Sequence, residues 1–174
     1  MTKSHVSVRA HRLWVLGVGV WSLCFVAACG SPPPLEPTFP SSSALAGAVL
    51  EALADRDRVT LDRMALSERE FRDHVWPRLP ASRPDRNLPF SYVWGELRQK
   101  STATLSETLA RHGGQRYDLL DVDFGEVSDY GTYRVHREAT LRIRRPDGTE
   151  ALVRVCGSMI EQDNAWKVFS YVID

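Results

Sequence analysis

Between residues 44 and 112 apolar side chains recur at intervals of three and four; after Gly114 they recur at every second position. That change of period separates a helical part of the chain from a strand-forming part. Leu45, Val49, Leu50 and Leu53 line one side of a helix predicted over Ala44–Arg56, with Ser43 as its N-cap. Asp55-Arg56-Asp57-Arg58 interrupts the stripe and marks a helix end or tight turn, and Leu61, Met64 and Leu66 form a second short apolar face. Ser67-Glu68-Arg69-Glu70 has the form of a capping box, in which the serine hydroxyl accepts from the Glu70 N–H and the Glu70 carboxylate reaches back. The helix it opens carries Phe71 and Val75 four apart and a Glu68–Arg72 pair, and Pro77 ends it. Residues 77–89 (PRLPASRPDRNLP) hold four prolines and read as a surface loop. A longer helix is predicted from Phe90, with Trp94, Leu97, Ser101, Leu105 and Leu109 along its stripe. Pro89 suits its first turn and Gly113-Gly114 its stop, while Thr104-x-x-Glu107 leaves open a restart after a break near Lys100.

In the second half Leu120, Val122 and Phe124 alternate with Asp121 and Asp123. Tyr133, Val135, Ala139, Leu141 and Ile143 alternate with Arg134, His136, Glu138, Thr140, Arg142 and Arg144. Pro146-Asp147-Gly148 is a strong turn signal leading into a strand over Ala151–Glu161, and Gln162–Ala165 makes the next turn. The closing run Trp166–Ile173 is apolar on both faces, which predicts an interior strand. Helices followed by a four-strand antiparallel meander define an α+β class.

The first 43 residues follow neither period. Met1–Arg12 is basic, Leu13–Ala28 is a 16-residue stretch without a charge, and Gly30–Ser43 (GSPPPLEPTFPSSS) holds five of the ten prolines. The uncharged stretch is short for a membrane span, which takes roughly 20 residues, but suits the core of an export signal. The proline-rich segment reads as an extended spacer of about 30–40 Å, or as a ligand for a groove-type partner. The chain thus divides into a signal (1–28), a cysteine with its tether (29–43) and one domain (44–174). Lys and Arg total 22, as do Asp and Glu. Residues 1–28 carry three of the basic residues and no acid, which leaves the rest at 19 against 22, net −3. A balanced or slightly acidic chain is not a generic polyanion binder, and no nucleic-acid partner is expected.

Val26-Ala27-Ala28-Cys29 resembles the lipobox of bacterial lipoproteins, a Leu/Val-small-small-Cys motif closing the apolar stretch. The resemblance implies that the Cys29 thiol takes diacylglycerol and that cleavage makes Cys29 the new N-terminus. The partner it implies is the membrane, with the domain exported. Gly30 after the cysteine, rather than Asp, would direct it to the outer membrane in a host that has one. An ordinary signal peptide cut elsewhere, or an uncleaved anchor, is the plainer alternative. With Cys24 in the signal and Cys29 acylated, Cys156 is the one thiol left, so no internal disulfide is expected. Within LVRVCGSMI it reads as a buried inert thiol, with a nucleophile as the alternative.

The order of helices and strands is similar to the nuclear-transport-factor-2-like, cystatin-like superfamily. The residues carrying that similarity are ALADRDRVTLDRM, the closing hairpin from Asp147 onward (DGTEALVRVCGSMIEQDNAWKVFSYVID), and the final strand led by Trp166 and Lys167. The resemblance implies N-terminal helices packed into a strongly curved sheet, forming a cone. Residues 77–89 and the long helix after them depart from its plainest form. Enzymes of that superfamily set an Asp/His or Tyr/Asp pair inside the cone, where burial lifts a carboxylate's pKa.

Three histidines fall in the domain. His112 reads as a cap at a helix C-terminus, His136 as a solvated residue on the charged strand face, and His74 as a residue without an evident partner. Arg137 shares strand parity with Tyr133 and Val135, where a charge must pair or line a cavity. It is therefore expected either to line a pocket with Trp94, Tyr133 and Tyr171, or to be turned outward by a bulge near Glu138. Arg142, Arg144 and Arg145 read as part of a solvated sheet face. No metal motif and no phosphate-cradling glycine loop is present, so no cofactor is implied. Three functions remain open: a non-enzymatic envelope domain that binds a protein or small ligand, an envelope enzyme using an acid/base pair, and a structural subunit of an envelope complex.

Overall fold

The computed structural model describes residues 32–173; the signal, Cys24 and Cys29 lie outside the described residues. Helix α1 (Ser42–Ala54) starts two residues before the expected one, because Ser41 rather than Ser43 caps it and accepts from the Ala44 N–H at 3.0 Å. Arg56 leaves the helix at a positive φ of 56°. Asp57 then caps α2 (Arg58–Met64) through the Thr60 N–H. The Ser67 capping box forms as expected and opens α3 (Glu68–Glu70), which continues into a π-helical turn, Phe71–Val75. Residues 76–86 follow as three single 3-10 turns, each with a proline in its first two positions. Helix α4 (Phe90–His112) runs unbroken for 23 residues, so no restart occurs near Lys100.

The domain is α+β in class, but its strands are shorter than their pattern. Among the described residues there are seven: β1 (Asp118–Asp123), β2 (Glu126–Asp129), β3 (Arg134–Arg137), β4 (Thr140–Arg144), β5 (Glu150–Val153), β6 (Ser158–Gln162) and β7 (Ala165–Ser170). They form two antiparallel leaves, ordered β1-β4-β5 and β2-β3-β6-β7. Both orders follow one four-run meander whose first three runs each turn a corner, at Gly125, at Glu138 and near Gly157. Hydrogen bonds carry the pairing across the corner, from Gly125 N–H to Arg137 O, Ala139 N–H to Gly157 O and Gly157 N–H to Ser170 O, each 3.1 Å. Glu138 supplies its turn with a positive φ of 55°. A Cβ on Gly157 would overlap the Val172 carbonyl, so only glycine lets the last run pass there. The sheet is bent and does not close on itself.

One core lies between α1 and the inner faces of both leaves, where Leu45, Val49 and Leu53 meet Leu141, Ile143, Met159 and Val168. A second lies on the opposite face of the four-stranded leaf, where Val135 and Ile160 meet Leu66, Phe71 and Val75 under Phe90 and Trp94 of α4. The β7 run is therefore covered on both faces, as its composition suggested. Its place differs from the expected interior strand: it ends the leaf, and its free edge is closed from outside. Phe39 exchanges two backbone hydrogen bonds with Trp166, at 2.9 and 2.8 Å, and the Leu66 N–H reaches the Val168 carbonyl at 3.0 Å.

That contact involves a segment read as free spacer. Leu35 is buried in the second core, which stabilises the docked segment by about 2 kcal/mol. His74 Nε2 lies 2.7 Å from the Pro33 carbonyl, so His74 has a partner after all. Proline-rich composition signals an extended chain without saying what it lies against, and here residues 33–39 lie against the domain as a strap.

Candidate functional site

A groove of about 1000 Å³ lies between the strap, α2, α3 and α4. Its apolar wall is Val59, Ala65, Leu66 and Trp94; its charged groups are Glu36, Asp62, Arg63, Glu68, Glu70, Arg98 and Lys167. Val59 is 69% exposed, although it stands in an apolar wall.

Lys167 and Glu70 form the floor. Alternation along β7 puts Trp166 and Val168 on the α1 face and Lys167 on the other, where it is only 1% exposed. Its Nζ donates to the Glu36 carbonyl at 2.6 Å and the Arg63 carbonyl at 3.1 Å, and pairs with Glu70 Oε1 at 3.2 Å. Three donors meet three acceptors, so the ammonium is fully satisfied. Burial pushes its pKa down, with the Glu70 charge opposing. Glu70 is satisfied as well: Oε1 also accepts the Glu36 N–H at 2.9 Å, and Oε2 accepts the Ser67 N–H and hydroxyl, both at 2.8 Å. Burial alone would raise this carboxyl; the Ser67 and Glu36 hydrogen bonds, with the Lys167 charge, outweigh it and hold the pKa below the ordinary value. The pair joins strap, helix and strand, and neither member is free for proton transfer.

The reactive possibilities of the groove therefore rest on its rim. Arg98 pairs with Asp62 at 3.3 Å and Glu68 with Arg72 at 2.6 Å. Arg63 is exposed and meets no acidic partner within 4.0 Å among the described residues. A half-buried indole, an exposed valine and two guanidinium groups lining one groove suit a ligand or peptide segment that has both apolar and polar parts.

The four residues expected to line one pocket lie in different places. Trp94 lines the groove. Tyr133 and Tyr171 are buried, and their hydroxyls donate to the Val75 carbonyl at 3.2 Å and the Leu61 carbonyl at 2.8 Å. Burial raises the pKa of both phenols, so they stay neutral and structural. Arg137 lines a separate 370 Å³ cleft with Tyr130, Phe169 and Glu138, between α4 and the bent sheet. It keeps the parity of Val135 but stands exposed at the strand end, where the turn at Glu138 breaks the alternation.

The other histidines also move from their expected roles. His136 is 8% exposed rather than solvated, because its face of the leaf is covered by Phe124 and Trp166, with ring centroids 4.9 and 4.5 Å away. Its Nε2 lies 2.8 Å from Glu161 Oε2, and Arg134 reaches Glu161 Oε1 at 2.8 Å. His112 Nδ1 lies 3.1 Å from the Tyr117 hydroxyl instead of capping α4, and burial with nearby Arg111 disfavours its cationic form. Cys156 sits at the corner between β5 and β6 rather than inside a strand, wholly buried, and burial pushes its thiol up to about 12. The basic strip is a solvated sheet face, with Arg142 paired to Asp121 and Arg144 to Glu150 at 3.3 and 3.2 Å. Among the described residues no group of three His, Cys, Asp or Glu side chains is placed to hold a metal.

Lys167 and Glu70 were missed because each looked ordinary in sequence: a lysine in an apolar strand and the last residue of a capping box. The one available signal was a charge inside a run apolar on both faces. Comparison of the chain with family models, curated proteins and solved structures gives no match.

Proposed function

We propose that this is a lipid-anchored protein of the bacterial cell envelope, acylated at Cys29, whose domain binds an envelope partner or small ligand without catalysis of its own. The groove of about 1000 Å³ carries the binding part of this reading. Its size is that of a large ligand cleft, its wall exposes Val59 and Trp94, and its central ionisable pair is consumed in holding the fold. The anchor part rests on the lipobox-like residues, which lie outside the described region.

The enzyme reading has one observation in its favour, the His136–Glu161 contact. The cavity beside Glu161 and Arg134, lined by strand ends and turns, is only about 200 Å³, below the roughly 300 Å³ at which ligand pockets begin. Binding in the groove is the stronger reading.

Two measurements test it. Cys29→Ser should remove the acyl mass and release the protein from membranes; a variant that stays acylated and bound refutes the anchor. A photo-crosslinking side chain at Val59 in the full protein should give one discrete adduct that Trp94→Ala and Arg98→Glu both diminish. Adducts that are diffuse, or indifferent to both substitutions, refute the groove.

A further inference from the structure

The strap changes how far the domain can stand from its anchor. As a free spacer, residues 30–43 would span about 40 Å. The first clamped residue is instead Pro33, whose carbonyl is held by His74 at 2.7 Å. Glu36 is then fixed through both its N–H and its carbonyl, and Leu35 is 5% exposed. Only four residue steps separate Pro33 from Cys29, a reach of at most about 14 Å. The headgroup layer of one leaflet is itself about 5–8 Å thick. Acylation at Cys29 would therefore bring the strap end of the domain to the membrane surface.

What the domain presents near that end is the proline-rich loop of residues 77–89. It leaves from Trp76, two residues after His74, and returns at Phe90, whose ring meets Trp76 edge-on at 5.5 Å. The loop carries Arg78, Arg83 and Arg86 against the single acid Asp85. All three arginines are exposed, and none meets an acidic partner within 4.0 Å among the described residues. Leu88 is 42% exposed and Tyr92, in the first turn of α4, is 59% exposed. Unpaired guanidinium groups beside exposed apolar and phenolic side chains match an interface of anionic headgroups over hydrocarbon.

We propose that the domain lies directly on the anionic phospholipid surface that carries its anchor, docked through Arg78, Arg83, Arg86 and Leu88. This rests on the reading that Cys29 is acylated. The strap is what makes the docking specific: it fixes which side of the domain the short link holds down. Arg63 and the groove rim would then open beside the membrane, within reach of partners at its surface.

The test uses the full acylated protein in vesicles of phosphatidylethanolamine and phosphatidylglycerol. Cys156 is wholly buried, so nitroxide labels placed at Leu88→Cys and, as a distant control, at Leu152→Cys report single sites. The Leu88 label should be relaxed by oxygen in preference to a water-soluble nickel chelate, and the Leu152 label by the chelate. Combined Arg78→Glu, Arg83→Glu and Arg86→Glu should lower the lipid-exposed fraction at Leu88 roughly tenfold, as should zwitterionic vesicles. A thermal melt of this variant should be unchanged; if it is not, the zwitterionic vesicles give the same test on the native chain. A Leu88 label that is solution-like while the acyl mass is present overturns the docking and leaves the anchor standing. A label shielded from both reagents also overturns it, in favour of a protein contact. Absence of the acyl mass overturns docking and anchor together.

Discussion

Lys167→Met removes the charge that holds the strap to β7 and keeps most of the side-chain volume. Three contacts are lost at once: the Glu36 carbonyl, the Arg63 carbonyl and Glu70 Oε1. Breaking a buried ion pair from one side costs about 3–5 kcal/mol, because the other charge is left without its partner. Here Glu70 keeps the Ser67 N–H and hydroxyl and the Glu36 N–H, and the two carbonyls border an open groove where water replaces the ammonium. The loss should lie at the low end, about 3 kcal/mol. For a packed unit of about 140 residues that corresponds to a melting temperature lower by about 10 °C. Circular dichroism of the full chain in detergent measures the melt, and limited proteolysis reports whether residues 33–39 have come loose. Cleavage within the strap should appear in the variant before the domain unfolds. Adding Glu70→Gln should cost much less than the sum of the single losses, since the two residues share one interaction. A Lys167→Met melt within about 3 °C of the native one, with the strap still protected, would refute the clamp and with it the short link to the anchor.

Gly157→Ala places a methyl against the Val172 carbonyl and should cost more than about 3 kcal/mol, read by urea unfolding. Gly47→Ala is the control: nothing lies within 4 Å of the new methyl, and the helix interior should gain about 0.5–1 kcal/mol. Glu70 has a folded pKa below its ordinary value of 4.5, so the unfolded chain takes up its proton first as pH falls. Its stabilisation is complete above the unfolded pKa and is lost as pH drops through the folded one. Urea midpoints between about pH 6 and pH 3 should fall more steeply for the native chain than for Glu70→Gln. Parallel slopes would show that Glu70 is not held by its neighbours.

Several local signals in the sequence hold in the structure, although the cap expected at Ser43 lies at Ser41. The Ser67 capping box, the stop after His112 and the turn at Asp147-Gly148 involve partners a few residues apart, so spacing alone specifies them. The α+β class follows from the change of period for the same reason. Alternation also identified Val135, Ala139, Leu141 and Ile143 as core, and all four are buried. It failed at Arg137 and His136, where the bend at Glu138 and the rings of Phe124 and Trp166 decide exposure. No residue type at Glu138 announces a positive φ, so two leaves read as one flat run.

The sequence by itself determined the helical and strand halves, the Ser67 capping box and the glycine stop of the long helix. Tertiary structure alone decided that the proline-rich segment is a strap, that β7 ends its leaf with a covered edge, and that Lys167 is buried among three acceptors. Those contacts join residues up to 131 positions apart. A side chain buried by distant segments carries no mark of them in its own neighbourhood of the chain, since burial and charge pairing depend on what folding brings near.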